Sequence, residues 1–203
     1  MVDFLLVDKL IIEGNKGGAK VILTINKNDL STDLYNYCVE NYSNAVDKIF
    51  SVSTVTGNGI DELKAYLNGE FCALAGQSAV GKTSLINEIF DIQKQVNTVS
   101  EKTLRGRHTT TSREIHYGEN FSLIDTPGFS AIDTFSIESA KLSEYYKEFE
   151  EYNGKCYYIG CSHTAEPDCL VKEAVERGQI SLDRYNRYCT IYKEIKEYEK
   201  RKY

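Results

Sequence analysis

Gly76-Gln77-Ser78-Ala79-Val80-Gly81-Lys82-Thr83 follows the apolar run Glu70-Phe-Cys-Ala-Leu-Ala and opens a stretch of helical periodicity over 82–90. The spacing is G-x-x-x-x-G-K-S/T, that of a phosphate-binding loop. Its glycines let backbone N–H groups curl around phosphate oxygens, and the start of the helix adds a positive dipole. Lys82 is expected to reach the β- and γ-phosphates, and the Thr83 hydroxyl to hold Mg²⁺, with Ser84 next to it in the first helical turn. The competing reading is a Gly-rich turn that caps an ordinary helix. From average residue usage the pattern arises by chance in roughly one chain of this length in a hundred. Its place between a strand and a helix lowers that further.

Two more loops end strand-like runs on either side. Downstream, Phe121-Ser-Leu-Ile leads into Asp125-Thr-Pro-Gly128. A carboxylate at that position is suited to the Mg²⁺ shell, and Gly128 offers an N–H to a γ-phosphate with no Cβ in the way. Upstream, Ala19–Ile25 is a β-branched run that ends in Asn26-Lys27-Asn28-Asp29. An Asp carboxylate accepts from both guanine N1–H and the 2-amino group, whereas adenine would leave it unpaired. Ser53-Thr54-Val-Thr-Gly57-Asn-Gly59 closes the next strand and resembles a companion loop for the guanine O6. Together the two loops favour GTP over ATP.

The remaining periodicities predict helices over 2–13, 31–45, 60–67 and 82–90, with Gly14, Gly17 and Gly18 ending the first. Strands are expected at 20–25, 48–53, 70–75, 112–117 and 120–124, the last two as a hairpin. This alternation is that of an α/β fold with a largely parallel sheet. After about Phe129 the chain reads as helical and rich in Tyr and Glu. With 41% apolar residues it is foldable, and no run approaches the ~18 apolar residues of a membrane span. A net charge of −6 argues against a nonspecific nucleic-acid binder. Six cysteines without an export signal read as thiols or metal ligands, which points to a soluble cytosolic protein with no membrane partner.

Cys156, Cys161, His163 and Cys169 give C-x4-C-x-H-x5-C. Three thiolates and an imidazole suit tetrahedral Zn²⁺, and a set with no spare position is structural. Cys38, Cys72 and Cys189 lie singly and read as core residues. Tyr185, Tyr188, Tyr192, Ile195 and Tyr198 form a stripe at helical spacing, expected to pack on the metal module. Arg184, Arg187 and the lysines beyond them leave RNA contact as a minor alternative. Lys102, Arg105, Arg107 and His108 form a second basic cluster.

The guanine motif precedes the phosphate loop here, the reverse of an ordinary GTPase. The fold tolerates this, because these loops must be neighbours in space and not in sequence. In that order, and over nearly its whole length, the chain resembles the RsgA/YjeQ/YloQ family of circularly permuted bacterial GTPases. The resemblance implies a circularly permuted P-loop GTPase domain over 1–135 and a small helical zinc-binding module over 136–203. It makes Gly106-Arg-His-Thr109-Thr110-Thr111 a switch in which one of the three threonines meets Mg²⁺ and γ-phosphate. It also implies GTP and GDP as ligands, one zinc ion, and the 30S subunit with its 16S rRNA as partners. The intact protein would be a cytoplasmic monomer acting in subunit maturation, its hydrolysis stimulated by the subunit.

The expected chemistry is Mg²⁺-assisted attack of water on the γ-phosphate, with Lys82, Thr83, Asp125 and Gly128 as the catalytic set. Phe129 follows Gly128, so the sequence names no water-orienting glutamine and slow intrinsic turnover is inferred. That leaves a nucleotide-switched rRNA- or ribosome-binding module with negligible hydrolysis as the alternative. A P-loop ATPase or kinase of another class is opposed by Asn26–Asp29. Family members carry an N-terminal OB-fold, and this chain begins after it. A six-stranded GTPase sheet would have one more strand, between the phosphate-loop strand and the guanine-motif strand.

Overall fold

The computed structural model describes residues 2–92, 114–118, 120–125 and 136–202. Helix α1 spans Phe4–Lys16 and is capped by Asp3, whose Oδ1 accepts from the Leu6 N–H at 3.0 Å. Strand β1 (Ile22–Ile25) leads to α2 (Asp33–Tyr42), and β2 (Lys48–Ser51) to α3 (Ile60–Leu67). Strand β3 (Phe71–Leu74) leads to α4 (Lys82–Ile89), and β4 (Glu114–Tyr117) and β5 (Ser122–Asp125) follow. Two 3₁₀ segments, Ser139–Tyr145 and Lys147–Phe149, precede α5 (Leu170–Glu176) and α6 (Leu182–Arg201).

The five expected strands are present: the first three are trimmed by one or two residues, residues 112–113 of the fourth lie outside the described residues, and the fifth starts two residues later and ends one later than expected. They form two sheets. β1 and β2 pair in parallel, while β5 lies between a parallel β3 and an antiparallel β4. Among the described residues no ladder joins β1 to β3, which is where the sequence predicts the interruption. A shared core spans the break. Phe50 and Val52 from the β2 side pack with Ile60, Leu63 and Leu67 of α3 and Leu85 and Ile89 of α4, with Ile22, Cys72 and Leu74 against them. Apolar burial thus holds together two sheets that no backbone ladder joins among the described residues.

Two expectations need correction. Gly14 does not end α1, which continues to Lys16 and caps at Gly17. A glycine inside a helix costs about 1 kcal/mol, and tertiary contacts offset it here. Asn15 Nδ2 donates to the Tyr145 carbonyl and Lys16 Nζ to Ser136 Oγ. The second correction concerns residues 139–149, which are 3₁₀ turns rather than α-helix. Glu199 of α6 accepts from both the N–H and the Oγ of Ser139, fixing the start of that segment from outside.

The core of the C-terminal part contains Leu142, Tyr146, Phe149, Val171, Ala174, Tyr188, Ile191 and Ile195, and also Ile12 of α1. Tyr185, Tyr188, Tyr192 and Ile195 of the α6 stripe therefore pack inward, as their spacing predicts, whereas Tyr198 is exposed. Cys38 is buried, and Cys72 and Cys189 pack half-buried against cores. Arg184 and Arg187 differ from expectation. Arg184 is fully buried among carboxylates, and Arg187 is tied to Asp8 at 2.6 Å, so neither offers charge to RNA. Among the described residues no helix is long and apolar enough to cross a membrane.

Candidate nucleotide site and metal centre

The loops that end β1, β2 and β3 converge. Gly81 caps α4 with φ +97°, and a Cβ there would stand 2.5 Å from Asn26 Nδ2, so only glycine lets the Asn26 amide approach this closely. Asn26 Oδ1 in turn accepts from the Thr54 N–H at 3.3 Å and from the Lys27 N–H at 2.8 Å. Asn26 therefore joins the phosphate loop, its own strand end and the 53–59 loop. Ser53 is fully buried and its Oγ donates to Asp29 Oδ1 at 2.5 Å, while accepting from the N–H groups of Val55 and Thr56. Asp29 itself remains exposed, with Oδ1 anchored. Gly59 at the end of this loop has φ +73°, and a Cβ would collide with the Ser51 carbonyl.

Within the phosphate loop, Lys82 Nζ donates to the carbonyls of Gly76 at 2.6 Å and Gln77 at 2.9 Å. Its ammonium thus lies inside the curl of 76–81. Ala79 adopts φ +63° on that curl. Ser78, Ala79, Val80, Thr83 and Ser84 are exposed. Gln77 also accepts from the Asp3 N–H at 3.0 Å, tying the loop to the start of α1.

Asp125 ends β5 opposite Leu74, two residues before Gly76. Among the described residues its Oδ1 is buried with no hydrogen-bond partner. A buried carboxylate oxygen left unpartnered among them, at this strand end, has chemistry that suits a hard divalent cation. Gly128 and the Thr109, Thr110 and Thr111 switch lie outside the described residues, as does the basic cluster at 102–108.

The four candidate metal ligands meet as their spacing predicts. One ligand atom from each of Cys156, Cys161, His163 and Cys169 lies within 4.8 Å of all the others. Cys156 Sγ is 3.9 Å from Cys169 Sγ and 3.6 Å from His163 Nδ1, which is 3.3 Å from Cys169 Sγ. Tetrahedral zinc with bonds of ~2.0–2.3 Å needs edges of roughly 3.5–3.8 Å, so the cluster fits the ion. Burial pushes the Cys161 thiol up to about 12 and the His163 imidazole down, so both disfavour charge. A divalent cation reverses that preference for the thiol and matches neutral imidazole.

The loop carrying these ligands is held from outside. Burial alone would raise the Glu166 carboxyl, but hydrogen bonds from Ser162 and Thr164 bring it down to about 2. The Tyr185 and Tyr188 hydroxyls donate to the carbonyls of His163 and Ser162 at 2.9 and 2.7 Å. Sequence reasoning missed these roles for Tyr185 and Tyr188, and missed Asn153, whose Oδ1 is 3.2 Å from His163 Nε2. No spacing rule singles out an asparagine three residues before a ligand.

The model of the RsgA GTPase family matches residues 2–135. The chain belongs to that family. Among RsgA relatives named "Small ribosomal subunit biogenesis GTPase RsgA", the Thermotoga neapolitana protein is 38% identical over 195 residues, covering 94% of this chain and 65% of that protein. The one from Caldanaerobacter subterraneus subsp. tengcongensis is 40% identical over 210 residues, covering 100% of this chain and 69% of its own. The chain thus spans about two thirds of the length of these curated relatives. Among solved RsgA-type structures, YjeQ from Thermotoga maritima superposes with a TM-score of 0.76 at 34% identity, covering 95% of this chain and 66% of that one. YloQ, described as a circularly permuted GTPase, gives 0.76 at 25% identity, covering 96% and 63%. The fold is accordingly an α/β, circularly permuted GTPase fold with a Cys3His cluster beyond it.

Proposed function

We propose that this chain binds GTP and GDP and hydrolyses GTP in the maturation of the small ribosomal subunit, in the cytoplasm. The observation that carries the reading is the meeting of Asn26 with Gly81 while Ser53 anchors Asp29. It supports a base motif working beside a phosphate loop. Asp29 then accepts from guanine N1–H and the 2-amino group, and Ser53 and Thr54 line the base. The N–H groups of Gly76 through Ser84 surround the phosphates, with Lys82 turning from its carbonyl partners to the β- and γ-oxygens.

Thr83 and Asp125 would hold magnesium, which supplies neutralisation of charge developing on the phosphates when it is bound with GTP. Gly128 and one of the threonines at 109–111 complete the γ-phosphate contacts in this reading. Zinc held by Cys156, Cys161, His163 and Cys169 serves structure, with no open position for chemistry. The division proposed is a nucleotide-binding unit over 1–135 and a metal-bearing unit over 136–203. The partners proposed are the 30S subunit with its 16S rRNA, engaged by a monomer.

Single-turnover hydrolysis of GTP, with and without small subunits, tests the activity, and competition by ATP tests the base. Tight GTP binding without hydrolysis under either condition would favour a nucleotide-switched binding module instead. Phe129, where Ras-like enzymes place glutamine, is the observation behind that second reading.

A further inference from the structure

His163 presents two ring nitrogens to different neighbours. Nδ1 faces the sulfurs of Cys156 and Cys169, and Nε2 faces Asn153 Oδ1 at 3.2 Å. The other end of that amide decides its orientation. Asn153 Nδ2 donates to the Ser143 carbonyl at 3.1 Å, and a carbonyl oxygen only accepts. The amide oxygen must therefore be the atom turned toward His163. An oxygen can only accept there, so Nε2 carries the proton and Nδ1 keeps its lone pair toward the thiols.

We infer that Asn153 is the positioning residue of the metal centre, selecting the His163 tautomer that ligates through Nδ1. This rests on the zinc reading above. The ring is gripped at its far nitrogen by Asn153, and its backbone, at φ +58°, is held by the Tyr185 hydroxyl on the His163 carbonyl. An acceptor on the far nitrogen makes the near one a stronger ligand and removes the freedom of the ring to flip. Asn153 itself is braced on Ser143 in the 3₁₀ segment 139–145, so the orientation of the metal ligand is set by chain well outside the ligand loop.

Two substitutions in the full chain separate this role from simple bracing. Asn153→Asp keeps an acceptor for Nε2–H but has no N–H for the Ser143 carbonyl; Asn153→Ala removes both. Zinc affinity, read by competition with a chromogenic chelator, is expected to fall by about 10–100-fold in the alanine variant and to be largely kept in the aspartate variant. Long-range ¹H–¹⁵N correlation on the zinc-loaded wild type should show the proton on Nε2 and the metal on Nδ1. Equal loss in both variants, unchanged affinity in both, or metal on Nε2 would each overturn the role of Asn153. Wild-type protein that takes up no zinc would instead overturn the metal reading itself, and this inference with it.

Discussion

Arg184 and Asp8 lie 176 positions apart in the chain and meet at 2.7 Å, with side chains 1% and 0% exposed. The guanidinium also reaches Glu148 at 2.7 Å and lies over the rings of Tyr42 and Tyr146. Asp8 accepts further from Arg187 and from the Tyr42 hydroxyl. One carboxylate of α1 thus gathers two arginines of α6 and a tyrosine of α2. A buried charge is tolerable only when it is paired, and removing one partner leaves the other stranded.

Arg184→Met should therefore destabilise the chain by about 3–5 kcal/mol, because Asp8 and Glu148 lose their shared cation inside the core. For a chain of this size that is a fall in Tm on the order of 10 °C. Thermal unfolding followed by circular dichroism checks it. A fall of one or two degrees would mean that Arg187 alone neutralises the cluster.

Asp29→Asn should weaken GTP and strengthen xanthosine triphosphate, since the amide donates where guanine also donates. The loss for GTP is at least ~1–3 kcal/mol, the cost of an unsatisfied polar contact. Equilibrium titration with a fluorescent GTP analogue measures it, and unchanged affinity would remove Asn26–Asp29 from the base site.

Removing zinc, by chelation or by Cys161→Ala, should loosen residues 153–169 far more than α6. The ligand loop has little apolar packing of its own, while Ile191, Ile195 and Arg184 anchor α6 against α1 and the 3₁₀ segments. Hydrogen exchange should speed in the loop, stay slow around 188–195, and leave GDP binding intact. Equal deprotection of both regions would contradict this.

Asp47 links three parts of the chain, accepting from the Val21 N–H at 2.6 Å and from Lys147 at 2.8 Å. Burial alone would raise its carboxyl, but these two donors outweigh it and hold the pKa below the ordinary value of 3.8. A depressed folded-state pKa gives stability that is present above the unfolded value and lost as pH falls through the folded one. Asp47→Asn should thus cost up to ~1 kcal/mol at pH 7, a partly exposed pair being screened. The difference from wild type should begin to narrow near pH 4 and shrink further as pH falls through the depressed folded value. Urea unfolding of both proteins at pH 7 and pH 3 gives the comparison.

The candidate phosphate loop, base loop and metal cluster were legible because each chemistry they are proposed for needs its residues at short, fixed spacing. Gly81 before Lys82 and Cys161 before His163 can be read off neighbours alone. Asp8 could not be, since nothing local marks a helix carboxylate as the partner of an arginine at the other end of the chain. The same distance hid the true use of Arg184 and Arg187, which in sequence look like ordinary surface cations. Gly14 misled for a different reason: its helix-breaking tendency is only about 1 kcal/mol, and Asn15 and Lys16 just beyond it are tied to Tyr145 and Ser136. Asn153 was silent because it acts on the outer nitrogen of a ligand, where geometry decides and composition does not.

The place of α1 bears on how the molecule can be cut. A chain stopped at residue 135 would keep every loop proposed to contact base or phosphate, yet it would strip Asp8 of both arginines and turn the buried faces of Ile12 and Tyr42 toward water. The complementary piece, 136–203, would leave Arg184 with Glu148 but without Asp8, on a helix whose apolar neighbours had lost Ile12. Neither half would be a clean reagent for dissection. Substitution in the intact chain, rather than excision, is the route by which the contributions of the two halves can be told apart.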